Sequence, residues 1–176
     1  ASGKSTISEN LAKDLSAKGY NSSILQMDGF HYDDLILKEK NLLSKKGAPE
    51  TFDVMGLINF VSRLHKEDEV VIPIFDRSLE LSRSSAVIIS KNTKVIIVEG
   101  NYVLLKSYPW SQLHKFFNTT VMINCEKKIL EKRLIERWEN FNLPKKEIDE
   151  KVYKNDLPNG VNVLKNSIGA EYILEN

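Results

Sequence analysis

Two patterns of apolar and polar residues alternate along the chain: short apolar runs, and apolar residues spaced three or four positions apart. Short apolar runs predict the strands "SSILQM", "VVIPIF", "KVIIVEG", "TTVMIN" and "EYIL". The second, third and fourth runs are continuous, which is typical of strands covered on both faces. The segments "DVMGLINFVSRL" and "EKKILEKRLIERWENF" place apolar residues every three or four positions, which predicts helices, and another helix is predicted from Pro144 to about Asp156. This order predicts an α/β fold with a mostly parallel sheet and helices on both faces.

The chain opens with "ASGKST", and a helix is predicted to begin at Lys4 or Ser5. Apolar residues recur at every fourth position of this helix, and Gly19 stands where helices commonly stop. The opening residues match the second half of the phosphate loop G-x-x-x-x-G-K-[ST], in which backbone amides surround the phosphates, the lysine reaches the outer ones and the next hydroxyl binds Mg²⁺. The alternative is a chance G-K-S-T on a surface helix. The phosphate loop is favoured over this alternative because a helix is predicted where the loop requires one.

The first half of this loop and the strand that feeds it lie outside the numbered chain. A doubly wound sheet without that strand would lack a central element. We therefore expect an upstream strand and a glycine-rich half-turn, with residues 1–176 forming the rest of a single P-loop domain.

Two carboxylates are expected near the loop. Asp28 and Glu99 each end a predicted strand, and ligands of such sheets bind at the carboxyl ends of the strands. Two carboxylates beside a lysine and a serine hydroxyl suit metal-assisted phosphoryl transfer. We predict that Glu99 and Ser5 hold Mg²⁺ and that Asp28 accepts the substrate proton, although the two acids could exchange roles. Asp28 could also simply form a turn before Gly29.

Composition narrows the classes of protein. A chain of 176 residues with 41% hydrophobic content suits one domain with a real core. Its net charge of +1 does not argue for nucleic acid or an anionic membrane as a partner. The longest apolar run, around Val95 to Val98, is too short to span a bilayer. Cys125 is the only cysteine, which excludes an internal disulfide and favours a reducing compartment, the cytoplasm.

Four further blocks, in order along the chain, resemble the P-loop small-molecule kinases, the family of uridine kinase, phosphoribulokinase and bacterial pantothenate kinase. They are "MDGFHYDD", "KKGAPETFD", "PIFDRSLE" and "VIIVEGNYVLL". The likeness covers nearly the whole chain and is greatest to short bacterial members without a settled substrate. It implies a three-layer P-loop NTPase fold with a small helical lid at about residues 141–160. It also implies an ATP- and Mg²⁺-dependent kinase acting on a hydroxyl of a small metabolite, such as a nucleoside, a pantothenate-like compound or a sugar.

The resemblance further implies three groups of site residues. Those expected to hold the ATP phosphates are Ser2, Gly3, Lys4, Ser5, Thr6, Arg133 and Arg137, of which Lys4 and Arg137 join Asp28 in catalysis. Those expected to line the acceptor pocket are His31, Tyr32, Phe52, Asp53, Arg77 and Asn101.

Several pocket residues have ordinary alternative roles. His31 could hydrogen-bond a backbone carbonyl, Phe52 could belong to the core, and Asp53 could cap the helix that begins at Val54. Arg77 could form an exposed pair with Asp76.

Arg133 and Arg137 lie four residues apart and so face the same side of their helix. The planar guanidinium suits phosphate oxygens. The alternative is a solvated helix face on which the neighbouring glutamates, at positions 131, 136 and 139, pair with both arginines. The lid differs from that of uridine kinase because it lacks a dense arginine run, and its "DLPNG", with Asp156 and Asn159, resembles the Asp-x-x-Asn of the short bacterial members.

Other nucleotide-binding classes fit less well. Asp53 and Gly56 imitate the D-x-x-G of a regulatory GTPase, but no apolar strand precedes them and no N-K-x-D follows. A nucleotide-binding protein without chemistry would not need Asp28. A plain ATP hydrolase stays open, because water and a substrate hydroxyl place similar demands on a base. The expected partner is a small molecule rather than nucleic acid or membrane, with homodimerisation left open.

Overall fold

The computed structural model describes residues 1–176, in which helices and strands take turns as predicted. The helices are α1 (Lys4–Ala17), α2 (Asp34–Glu39), α3 (Val54–Leu64), α4 (Lys127–Asn140), α5 (Lys145–Lys151) and α6 (Leu157–Asn166). The strands are β1 (Ser22–Gln26), β2 (Glu69–Asp76), β3 (Leu81–Ser90), β4 (Val95–Glu99), β5 (Val121–Asn124) and β6 (Tyr172–Glu175). Short 3₁₀ turns include Met27–Phe30 and Pro49–Thr51, and a π-helical segment, Val152–Asp156, joins α5 to α6.

Several predicted boundaries are confirmed. Helix α1 begins at Lys4, and Gly19 follows its end with a φ of +81°, a left-handed conformation that costs glycine little. Helix α3 begins at Val54 because the carboxylate of Asp53 accepts a hydrogen bond from the Gly56 amide at 2.9 Å. The segment 141–160, the predicted lid, contains α5, the π-helical segment and the start of α6.

Two parallel strand pairs confirm the α/β class. β1 pairs with β4 in a register that sets Gln26 opposite Glu99, and β5 pairs with β6 from Val121 opposite Tyr172. Parallel neighbours end at the same edge of a sheet, so the residues that follow β1 and β4 lie close together. Asp28 and Glu99 occupy that edge.

The segment "VVIPIF" was predicted as a strand of the parallel sheet, and this is wrong. It lies in β2, which pairs antiparallel with β3, a strand that was not predicted at all. Most residues of β3 are exposed and the strand begins with the polar run "LSRSS", so it lacks the apolar signal of a buried strand. The register shifts between Ile72 and Ile74, around Pro73, which has no N–H to donate to the ladder.

The hydrophobic residues form two separate cores. The larger has 16 buried residues drawn from β1, β2, β3, α3, the turn Met27–Phe30, Phe52 and the segment 102–113, and partly buried residues of β4 pack against it. The smaller contains Leu134, Ile148 and Val152 and joins α4, α5 and the π-helical segment. The helices at the carboxyl-terminal side of the chain therefore pack around their own centre. None of the helices combines the length and hydropathy that crossing a membrane requires.

A cavity of about 850 Å³ separates the β1–β4 pair from the β5–β6 pair. Apolar side chains of β4 and β5 line it, together with Ile7 and Leu11 of α1. The apolar stripe of α1 thus faces the cavity, and Leu11 is still 45% exposed. Neither β4 nor β5 has a strand partner on its cavity side.

Candidate active site

The N-terminus of α1 forms one side of the site. Gly3 precedes the helix with a φ of +87°, and its carbonyl accepts the Ile7 amide at 3.0 Å. No side chain caps this end, and the first turn has no acidic residue. The amides of the first turn and the positive end of the helix dipole therefore have no side-chain acceptor, as binding of an anion requires, and the Asn176 side chain beside them donates to the Ser2 carbonyl at 2.7 Å.

Ser5 and Glu99 meet at this helix end. The Ser5 hydroxyl donates to Glu99 Oε1 at 3.0 Å, and Glu99 is only 9% exposed. Burial raises the pKa of Glu99, against the opposing effect of the Lys4 charge. Burial likewise lowers the pKa of Lys4, which the charges of Glu99 and Asp28 oppose. Lys4 precedes Ser5 in the chain, and the β1–β4 pairing brings the end of β1, just before Asp28, to the same edge as Glu99.

Asp28 follows β1 in the turn Met27–Phe30. Its Oδ2 accepts a hydrogen bond from Arg77 Nη2 at 2.9 Å. The next residue is glycine because β2 passes directly over it: a Cβ at Gly29 would lie 2.7 Å from the Pro73 carbonyl oxygen. Glycine at this position therefore allows the β2–β3 hairpin to pack closely against the turn that carries Asp28.

Arg77 reaches Asp28 from the hairpin. The adjacent Asp76 instead pairs with Arg83 at 3.1 Å and accepts a hydrogen bond from the Ser78 hydroxyl at 2.6 Å. The alternative pair of Arg77 with Asp76 is thus not formed. Because the side chain of Arg77 is half exposed, its ion pair with Asp28 adds less than about 1 kcal/mol to stability.

His31 lies between two aromatic rings beside Asp28. Its ring centroid is 3.9 Å from that of Phe52 and 5.2 Å from that of Phe75. Burial lowers the pKa of His31 to about 4, so the imidazole is neutral at physiological pH. Its Nδ1 is buried and has no hydrogen-bond partner. This nitrogen therefore does not make the backbone hydrogen bond given as the alternative role, although a bond of the ring to the Thr51 backbone opposes the lowering of the pKa.

The other predicted pocket residues differ in their surroundings, and two of them have structural roles. Phe52 is 3% exposed and belongs to the larger core, and Asp53 caps α3, so both have the structural roles given as alternatives. Tyr32 lies next to His31, and its amide donates to the Thr51 carbonyl at 3.0 Å. Asn101 is exposed just after β4 and makes no side-chain hydrogen bond.

Arg133 and Arg137 lie on the face of α4 that is directed toward the start of the chain. Arg133 Nη1 is 3.5 Å from the Ala1 carbonyl oxygen and 3.7 Å from Cys125 Sγ. The guanidinium of Arg137 lies 5.2 Å from the Trp138 ring, and its charge helps to lower the pKa of Lys4.

The nearby glutamates do not neutralise these arginines. Glu131 accepts a hydrogen bond from the Tyr153 hydroxyl at 2.7 Å, and Glu136 pairs with Lys132 at 3.7 Å. No ion pair joins either arginine to a carboxylate. Both cations are therefore available to an anionic ligand.

Two residues that the sequence did not single out organise the acceptor side. Lys46 Nζ donates to Asp34 Oδ1 and to the Glu80 carbonyl, both at 2.8 Å. The hydroxyl of Tyr102 donates to the Gly47 carbonyl. Both residues lie inside blocks that carry the family resemblance, but their spacing along the chain gives no sign that they converge.

Comparisons with known proteins agree with this fold. No protein-family model matches the sequence. A crystal structure described as a "putative fructose transport system kinase", from Silicibacter sp. TM1040, is 34% identical with a TM-score of 0.92, covering 98% of this chain and 84% of that one. The "Uncharacterized protein YggC" of Escherichia coli K12 is 34% identical over 151 residues, and a pantothenate kinase of Enterococcus faecalis is 28% identical over 142 residues.

These two sequence relatives cover 86% and 78% of this chain, which in turn spans 62% and 46% of their lengths. The overlap with the Silicibacter structure takes in nearly the whole of this chain. The chain therefore belongs to the family of P-loop small-molecule kinases that its sequence resembles.

Proposed function

We propose that this chain is the phosphotransfer domain of an ATP-dependent kinase that phosphorylates a hydroxyl of a small metabolite. The observation that carries the proposal is the hydrogen bond of Ser5 to Glu99 at 3.0 Å, beside Lys4 and one strand away from Asp28. A phosphate ligand, a metal ligand and a base are thus within reach of one reacting centre, as phosphoryl transfer requires.

On the donor side, the amides after Gly3 and the Lys4 ammonium bind the phosphates of ATP. Arg137 and Arg133 approach from α4 and neutralise charge on the transferred group, since positioning and charge neutralisation are most of the catalysis in this reaction. Burial lowers the pKa of Lys4, because it disfavours the charged form. The exclusion of water also strengthens the attraction between the ammonium and a bound phosphate.

The donor set beside Lys4 fits Mg²⁺. This ion prefers oxygen ligands and commonly binds through one or two carboxylates, phosphate oxygens and water. Ser5 and Glu99 supply a hydroxyl and a carboxylate oxygen 3.0 Å apart. Held there, Mg²⁺ would supply positive charge beside the phosphates of ATP.

On the acceptor side, Asp28 accepts the hydroxyl proton while the new O–P bond forms and the bond to the leaving ADP oxygen breaks. Arg77 Nη2 donates to the Asp28 carboxylate at 2.9 Å and orients it. The neutral ring of His31 lies beside it and offers a nitrogen to a second polar group of the acceptor. Tyr32 and Asn101 complete the proposed pocket.

The cavity between β4 and β5 fits a further strand rather than a ligand. Its walls are apolar, and both flanking strands have a free edge. A parallel strand that leads into Gly3 would pair with both edges and cover Leu11. In a longer polypeptide with such a segment, hydrogen exchange of the β4 and β5 amides would be slowed about a hundredfold or more relative to residues 1–176 alone. Equal exchange in the two proteins would refute this assignment.

The proposed activity is tested by following ATP consumption with D-fructose, pantothenate and uridine as acceptors. We expect ADP and a phosphorylated acceptor to form in equal amounts for at least one of them, and to depend on Mg²⁺. Release of free phosphate at the same rate with and without acceptors would instead identify an ATP hydrolase. An Asp68→Asn variant is the matched control for later acid variants, because Asp68 pairs with Lys91 at the exposed end of the hairpin.

The relatives suggest sugars and pantothenate-like compounds as the first acceptors to test, because the names of those proteins refer to fructose and pantothenate. A reducing compartment such as the cytoplasm suits a chain with one free thiol, Cys125.

A further inference from the structure

The lid helices contain an irregular turn at a junction between the two sides of the site. The segment Val152–Asp156 is π-helical, and such turns are rare and frequently occur at functional sites. In a regular α-helix, neighbouring side chains diverge by about 100°. Here the neighbours Asn155 and Asp156 both reach partners on other elements, and those partners belong to opposite sides of the proposed site.

Asn155 contacts the acceptor side. Its Nδ2 donates to the Lys46 carbonyl at 3.0 Å, while its Oδ1 accepts from Asn159 Nδ2 at 3.0 Å. The second bond fixes the orientation of the amide, because it occupies the acceptor oxygen and leaves the donor directed at Lys46. This contact is the only side-chain hydrogen bond between the π-helical segment and the acceptor side.

The Lys46 carbonyl belongs to a tightly held segment. The next amide, of Gly47, donates to Thr51 Oγ1 at 3.1 Å, and the Gly47 carbonyl accepts the Tyr102 hydroxyl. Thr51 directly precedes Phe52, the ring on which His31 packs. A displacement of Lys46 is thus passed through residues 47–52 to the proposed acceptor pocket.

Asp156 contacts the donor side. Its Oδ2 accepts a hydrogen bond from Trp138 Nε1 at 2.8 Å, and the guanidinium of Arg137 lies over that indole at 5.2 Å. The largely buried carboxylate thereby fixes the ring on which the phosphate-directed arginine rests.

We propose that Asn155 is a positioning residue that couples Arg137 to the acceptor pocket through the π-helical segment. When Arg137 binds the phosphates of ATP, α4 becomes more ordered. Through the hydrogen bonds of Asp156 and Asn155, residues 46–52 then become more ordered as well. The inference rests on the proposed kinase function, because it requires MgATP to bind beside Arg137.

The test is hydrogen exchange of the full chain with and without MgATP, followed in residues 46–52 and in α4. Two variants remove the donor: Asn155→Ala, and the isosteric Asn155→Asp, which retains packing but cannot donate to Lys46. Asn162→Ala is the matched control, since Asn162 forms an equivalent Asn–Asn pair with Asn166 at 2.7 Å on the exposed part of α6.

In the wild type and in Asn162→Ala, we expect MgATP to slow exchange in both segments. In both Asn155 variants, protection of α4 should persist, whereas exchange of residues 46–52 in the presence of MgATP should be about fivefold faster than in the wild type, as expected for one lost hydrogen bond. A merely structural role would loosen residues 46–52 equally with and without nucleotide.

Two results would overturn the inference, and they are distinguishable. If MgATP protects α4 but residues 46–52 respond equally in the wild type and the Asn155 variants, Asn155 does not couple the two sides. If MgATP protects neither segment of the wild type, the proposed function fails and the inference fails with it.

Discussion

The donor and acceptor sides of the site are built in different ways. The donor side uses consecutive residues, Gly3 to Ser5, at one helix end, and adds Glu99 from the neighbouring strand. The acceptor side assembles three segments that are distant in sequence, around His31, Phe52 and Arg77, and depends on stacking and on one ion pair. In the proposed assignment, a local backbone motif binds the phosphates that all such kinases share, whereas tertiary packing shapes the side proposed to meet the acceptor. Relatives named for different substrates are consistent with this division.

Of the substitutions that test the difference between the donor and acceptor sides, Asp28→Asn has the largest expected effect. Loss of a general base should lower kcat by about 10²- to 10⁴-fold, while ATP affinity is retained because the donor side is intact. Isothermal titration with MgATP and steady-state rates measure the two effects, with Asp68→Asn as the control. Unchanged turnover would remove Asp28 from its proposed role.

Lys4→Ala tests the donor side. We expect both weaker ATP binding and a fall in kcat of about 10²- to 10³-fold, because a buried cation that faces the phosphates is lost. Lys13→Ala, an exposed lysine on the same helix, is the matched control. Normal ATP affinity of the Lys4 variant would contradict the phosphate-loop assignment.

His31 makes the acceptor side sensitive to acid. Burial lowers its pKa from 6.5 to about 4, so between these values the unfolded chain binds a proton that the folded chain excludes. The stability contributed by the neutral ring is complete above pH 6.5 and is lost as the pH falls toward 4.

Relative to His31→Gln, the wild type should therefore lose about 2 kcal/mol of unfolding free energy between about pH 7 and about pH 4.5. Urea unfolding at both pH values measures the difference. His65→Gln, which alters an exposed ring, is the control and should follow the wild type. Parallel behaviour of His31→Gln and wild type would show that this ring is not held neutral.

The smallest expected effect is that of substituting Asp53, which distinguishes a helix cap from a pocket residue. Asp53→Ala should cost about 1 kcal/mol of unfolding free energy, and Asp53→Asn little, because an amide oxygen can still accept from Gly56. Thermal unfolding of both variants checks this. An acceptor KM raised by Asp53→Asn, with stability retained, would instead assign the carboxylate to the pocket.

The pattern of the sequence was most informative where a signal is local. The start of α1 at Lys4 and its stop before Gly19 depend on nearby backbone groups and were predicted. The cap at Asp53, also local, was the alternative to its predicted place in the pocket. The sequence also predicted that Glu99 lies close to Ser5, because parallel strands end at one edge of a sheet. Strand β3 was missed because its exposed face lacks the apolar run that marks a buried strand.

The amino-acid sequence by itself determined the fold class, the family and the helix that begins at Lys4, because these follow from periodicity and from contiguous motifs. Only the tertiary structure decided that Arg77 pairs with Asp28, that His31 lies between two aromatic rings, and that Asn155 reaches Lys46. These contacts join residues up to 109 positions apart. They depend on the packing of the hairpin and the lid helices, which no local pattern encodes.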